Sequence, residues 1–328
     1  MTNAVPARGP IPFLLRLFAW GTVTVTFAFL FENWLVHWQR QPGARSFLDT
    51  GDGLLAAAVY AAAGGLALAL TWLSLGGGLR DDSRRITALV AYLARGAFFA
   101  VLFIGLADAL ISFLRVEGWL RPLVGDALAD SLRQSSFRGP NVHMPLAALG
   151  FVVALFTRTL GFIWLALLVV VAQLTLVIGR FIFSYEQPFM SDLVRLWYAA
   201  LFLFASAYTL VEEGHVRVDV FYSSMSLKAQ ALVNGIGSVV LGMSLCWTIL
   251  ILGTATSAST LIGPFLRYEQ GQQTFGMMTK YMLAVCLGVF AVTMLLQFAS
   301  YMLKAAADWR GEPDPDARPE GQPQPAVG

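Results

Sequence analysis

Seven stretches of this chain are long, apolar and nearly free of charge. They fall near 12–36, 53–77, 87–114, 156–183, 190–211, 229–253 and 279–303. At a rise of about 1.5 Å per residue, each helix of that length reaches across a hydrocarbon core of about 30 Å. Inside lipid the backbone must satisfy its own hydrogen bonds, and runs this long suit helices rather than barrel strands of about 9–11 residues. Composition agrees, with 57% hydrophobic and 13% charged residues, where soluble chains carry about 25% charge. A net charge of +2 gives no basic excess for nucleic acid. The expectation is an all-α polytopic protein of about seven transmembrane helices in a lipid bilayer, with no nucleic-acid partner.

The first apolar run is longer than the core of a secretory signal and lacks a small-residue cleavage site, so it reads as a retained transmembrane helix. Thr2 removes a myristoylation signal. Residues 115–145 are the longest polar stretch. They divide the chain into an N-terminal part with three spans (1–145), a part with four spans (146–304) and a polar tail (305–328) whose Pro, Gly and acidic content predicts disorder. Within the divider, Leu120, Leu123, Val124, Leu128 and Leu132 have helical spacing, predicting a short helix along the membrane surface.

Little here points to an enzyme or a cofactor. Cys246 and Cys286 lie in apolar runs and read as small hydrophobes. His37, His143 and His215 stand away from the middle of any predicted span, whereas a membrane haem needs two facing histidines inside the bilayer. No phosphate loop and no metal-ligand spacing occurs. Arg95 and Asp108 share one span but project about 220° apart, so they cannot pair with each other. They form part of a polar pathway, or each faces a neighbouring helix or snorkels toward one interface; the second reading is preferred, because pathway charges come from several helices. Gln173, Asn234 and Gln297 read as interhelical hydrogen-bonding glue, and Ser238 with Gly242 as a small-residue packing face.

Between the fourth and sixth predicted spans the polar residues become ordered. Gly179 and Arg180 close one span, and Ser191, Asp192 and Arg195 open the next, with Asp192 and Arg195 at i,i+3. Then follow Glu212, Glu213, Gly214, His215, Val216, Arg217, Val218 and Asp219, polar and apolar in alternation from His215. By spacing alone this is a solvated loop with interfacial anchors.

The run YTLVEEGHVRVDVFYSSMS, Tyr208 to Ser226, resembles the signature of the small membrane subunit of tripartite ATP-independent periplasmic (TRAP) transporters. In that family a Gly-Arg ends the first of four helices, a Ser-Glu-x-x-Arg opens the second, and a Gly/His-Ile/Val-x-Val-Asp motif follows it. Gly179, Arg180, Ser191, Arg195, Gly214, His215, Val216, Val218 and Asp219 match, and Asp192 stands where Glu is usual. The resemblance covers about 156–304; residues 1–145 look like the extension of some small subunits.

The resemblance implies a bacterial inner-membrane protein without cofactor. Its partners would be a large membrane subunit, which binds substrate and sodium and moves as an elevator, and a periplasmic binding protein that delivers an organic acid. This chain would be the fixed scaffold. Arg180, Asp192, Arg195, Glu212, His215, Arg217 and Asp219 would act at the membrane interface, on lipid headgroups or on the large subunit. The resemblance puts His215–Asp219 and the C-terminal tail in the cytoplasm; seven spans would then leave the N-terminus outside and the charged stretch Arg80–Arg85 on the side that the positive-inside rule disfavours. Two alternatives stay open from the residues alone: the membrane anchor of a respiratory or other enzyme complex, and a self-sufficient transporter or channel.

Overall fold

Among the described residues, eight helical elements are long and apolar enough to cross a membrane. A computed structural model describes residues 9–158, 162–185, 188–211, 222, 224–269, 277 and 279–313. Their order is α1 (Pro10–His37), α2 (Ala44–Thr50), α3 (Leu54–Leu73), α4 (Leu79–Val116), α5 (Leu120–Val124), α6 (Asp126–Ser131) and α7 (Ser135–Arg138). A π-helical turn (Gly139–His143) leads into α8 (Met144–Phe156), followed by α9 (Phe162–Ile182), α10 (Pro188–Val211) and α11 (Leu227–Gly237). A second π-helical turn (Ser238–Met243), α12 (Ser244–Thr254), α13 (Ile262–Arg267) and α14 (Thr279–Arg310) complete the chain. The all-α membrane architecture stands as expected.

The span beyond the expected seven is Ser135–Phe156. Only 144–156 of it is uninterruptedly apolar, a length of the kind that reads as a core helix rather than a crossing. The remainder is supplied by Arg138 and His143, whose polar groups are buried against other helices. Pro140, lacking an N–H, falls in the π-helical turn, where the Met144 N–H reaches back to the Gly139 carbonyl.

The extra crossing changes the topology. Helix α4 runs antiparallel to α14: Leu79 N–H donates to Glu312 at one end, and Asp108 meets residues beside Tyr281 toward the other. It runs antiparallel to α8 as well, since a Cβ added to Gly150 would stand 2.4 Å from the Ala100 nitrogen while Asp108 lies beside His143. Eight alternating crossings bring residue 10 and residue 310 to the same membrane face. The stretch Arg80–Arg85 is on that face too, not opposite to the tail as seven spans would require.

The expected surface helix over 118–132 is instead two short helices, α5 and α6, meeting at Gly125 (φ +79). Gly125 takes the left-handed region at little cost. Leu120 and Leu132 are buried, whereas Leu123 is 66% exposed, so the leucines do not form one face.

Helix α14 is the centre of the bundle. One core joins Ala19 and Val23 of α1, Ile86 and Val90 of α4, and Leu250 of α12 to Leu295 and Leu296 of α14. A second joins Phe98 of α4, Leu165 of α9, and Leu196 and Trp197 of α10 to Tyr281 and Cys286 of α14. The small-residue face at Ser238 and Gly242 packs on α14, where a Cβ on Gly242 would stand 2.6 Å from the Phe298 ring.

Candidate functional site

Of the expected interface residues, Arg180, Asp192 and Arg195 stand at one end of the bundle. Arg180 lies two residues before the end of α9, exposed, with its guanidinium 6.0 Å from the Phe181 ring. Asp192 is in the first turns of α10 and wholly buried; Arg195, half exposed, stands 3.7 Å from it. Glu212, His215, Arg217 and Asp219 lie outside the described residues. The chain enters them from Val211, the opposite end of α10.

At the Arg180 end the structure assembles a second group from distant parts of the sequence. Asp108, on α4 about 12 Å of helix before its end, is fully buried and does not turn toward Arg95. Its Oδ1 accepts from Arg138 Nη1 at 3.2 Å and meets His143 Nε2 at 2.8 Å. A carboxylate only accepts, so Nε2 carries the proton toward Asp108, and Nδ1 shares a hydrogen bond with the Tyr281 hydroxyl. Arg138 also donates from Nε and Nη2 to the Leu132 carbonyl at 3.0 and 2.7 Å. All four side chains are at most 3% exposed.

The Tyr281 ring stacks on His143 at 5.8 Å and meets Tyr268 edge-on at 5.4 Å. Just outside α14, Glu269 pairs with Lys280 and with Arg267 (2.8 Å), and these hold its carboxyl below the usual range, Lys280 foremost. Burial pushes the Tyr268 hydroxyl up. At the same end the Tyr185 hydroxyl donates to Glu117.

Farther along α4, polar groups again meet α14. Ser83 and Thr87 bond to Ser300 at 2.8 and 2.7 Å, and the Gln297 amide donates to Thr87 at 3.3 Å. At the terminal face Arg16 of α1, wholly buried, donates from Nε to Asp82 at 2.7 Å and from Nη2 to the Gly77 carbonyl. Arg80 reaches Asp308.

Chemically, these groups lock helices to one another. Charges buried with partners and hydrogen bonds are tolerated where isolated ones are not. Three cavities are bordered mainly by apolar residues: one of about 620 Å³ by Pro10, Phe13, Leu14 and Trp72, one of about 510 Å³ by Trp34, Trp38, Phe151, Ile262 and Phe265, and one of about 470 Å³ by Leu15, Phe18, Leu232, Ile236 and Trp309. Among the described residues no group of three or more His, Cys, Asp or Glu stands close enough to hold a metal ion.

Sequence reasoning singled out Asp108 but missed its partners. Arg138 and His143 sit in what reads as a loop, and Tyr281 in a span whose other residues are mostly apolar. The available signal was the charge of Asp108 itself, which demands a partner at that depth.

Residues 166–308 match the model of the family described as tripartite ATP-independent periplasmic transporters, DctQ component. The match takes in α9 to α14 apart from the first residues of α9 and the last of α14. Neither a curated protein nor a solved structure matches the chain.

Proposed function

We propose, from the membership of residues 166–308 in the DctQ family of small TRAP-transporter membrane components, that this chain is the fixed scaffold of a sodium-coupled uptake system for an organic acid. The observation that carries the reading is the use made of its polar groups: Asp108, Arg138, His143, Ser83, Thr87, Gln297 and Ser300 all join helix to helix inside the chain. None of the three cavities is lined by charge. A bundle cross-tied in this way supports a static frame, and the substrate and sodium sites then belong to the large membrane subunit, fed by a periplasmic binding protein.

In this reading the protein lies in a bacterial inner membrane with both ends of the described chain in the cytoplasm. Arg180, Asp192 and Arg195 work at the periplasmic interface, Glu212, His215, Arg217 and Asp219 at the cytoplasmic one. They anchor the helices to headgroups or pair with the large subunit. The helices before residue 158 widen the frame by packing on α4's partners, α10 and α14.

Reconstitution tests the reading. Vesicles with this chain, the large subunit and the binding protein should take up the organic acid with sodium, and vesicles with this chain alone should not. Arg195→Ala and Asp219→Ala, inserted normally, should weaken recovery of the complex and slow uptake. Uptake by this chain alone, or both variants leaving complex and uptake intact, overturns it.

A further inference from the structure

Three amides read from the sequence as interhelical glue have different fates. Gln297 is buried and donates to Thr87 across α4 and α14. Asn234 donates to the Tyr222 hydroxyl at 2.7 Å. Gln173 is exposed on α9 and makes no side-chain hydrogen bond among the described residues. It stands at the middle of the Phe162–Ile182 helix, about 14 Å or more of rise from either end. A primary amide offers two donors and a two-lone-pair acceptor, and at that depth neither water nor headgroups can meet them.

Other polar side chains on the outer surface differ. Thr175 of α9, Ser206 of α10 and Thr248 of α12 each donate to a carbonyl one turn back on their own helix, all at 2.8 Å. They need no outside partner. The outer face of α11 and α12, with Leu241 72% exposed and Leu252 66% exposed, is as bare as that of α9 but carries no unmet amide at mid-depth. Meanwhile the helices before residue 158 pack chiefly on α14 and α10, and meet α9 through its inward residues Leu165 and Ala172 rather than through this outer face.

Ala166, Gln173 and Arg180 recur at seven-residue spacing on α9, flanked by the exposed Val170 and Val177. A seven-residue repeat keeps one stripe in contact with a crossing helix.

We infer that this stripe is the docking seam for one transmembrane helix of the large subunit, which carries a hydrogen-bonding side chain at mid-membrane opposite Gln173. The inference rests on the function proposed above. A second copy of this chain fits the stripe less well. A two-fold axis along the membrane normal would set Gln173 on Gln173, which satisfies the amides, but would set Arg180 near Arg180, like charge on like.

The test uses the full chain co-expressed with the large subunit in membranes, with a photo-crosslinking residue at position 170, 177 or 241. Adducts with the large subunit are expected at 170 and 177 and not at 241. Gln173→Leu should weaken the complex about three- to thirtyfold, the span of measured interhelical hydrogen bonds in membranes, and Gln173→Asn should lose less. Crosslinks at 170 and 177 to a second copy of this chain overturn the inference, as does the absence of any protein adduct there while the subunits still co-purify. Failure of the unsubstituted subunits to co-purify overturns the proposed function, and the docking seam with it.

Discussion

Asp108 carries its charge into a helix that lies among helices, and its environment shows how such a charge is tolerated. One oxygen takes a guanidinium and an imidazole, and the guanidinium is held from its other nitrogens by a carbonyl. Removing the carboxylate leaves Arg138 buried without its counter-charge, which costs about 3–5 kcal/mol. Tyr281→Phe removes one neutral hydrogen bond, worth about 1 kcal/mol. Thermal unfolding in detergent should therefore rank Asp108→Asn well below Tyr281→Phe, and equal losses would deny the carboxylate its central place. Glu269 is a different case, outside the spans and partly exposed. Its folded-state carboxyl titrates below the usual value, through Lys280 first and Arg267 next. Its contribution is thus present above the unfolded Glu range of about 4.3 and is lost as pH falls through the lower folded value. Glu269→Gln should lower the melting temperature at neutral pH, less in high salt, and the difference from the unsubstituted chain should close in acid. A difference that widens in acid has the wrong sign. At this scale the sequence announced Asp108 and its need for a partner. It could not announce which residues answer, because Arg138 and His143 lie 30 and 35 positions away and meet Asp108 only through tertiary packing, and Tyr281, 173 positions away, reaches it through His143.

Helices in this bundle approach as closely as their small residues allow. At Gly150 an added Cβ would stand 2.4 Å from the Ala100 nitrogen and 2.8 Å from its Cα, backbone atoms that cannot rotate away. Gly150→Ala must push α8 off α4, an overpacking cost of about 1–3 kcal/mol or more, and should disturb the Asp108–His143 contact farther along the same pair. Gly64→Ala on α3 meets nothing within 4 Å and should stabilise by about 0.5–1 kcal/mol through helix propensity alone. Opposite shifts in melting temperature for the two glycine-to-alanine changes are the expected result; a neutral Gly150→Ala would mean the helices are not in contact there. The spans themselves were plain in the sequence wherever a run of about 20 apolar residues stood alone. Helix α8 was not, because hydropathy scores each residue against lipid. Arg138 and His143 are surrounded by protein, so their polarity says nothing about whether the helix crosses. A charged residue inside a bundle and a charged residue in a loop look alike until the neighbours are known.

Across the whole molecule, α14 has two surroundings at once. Its Leu295 and Leu296 face α1, α4 and α12, while its Tyr281 and Cys286 face α4, α9 and α10. The family match begins at residue 166, yet α1 and α4, which come before that point, are part of what buries α14. Without residues 1–157, Ser300 and Gln297 would lose Ser83 and Thr87 and face lipid, and Tyr281 would lose His143. Unmet polar groups in hydrocarbon are costly, and no apolar gain offsets them, since lipid solvates the exposed leucines as well as protein does. The segment 158–328 expressed alone should therefore accumulate poorly in the membrane and be degraded quickly. Supplying residues 1–157 as a separate chain should restore it, because polar ties such as Ser83–Ser300 and His143–Tyr281 form between chains as well as within one. Pulse-chase of the segment with and without the separate N-terminal half measures this directly. A half-life of 158–328 alone equal to that within the full chain would mean that the first four spans are an appendage and not part of the frame.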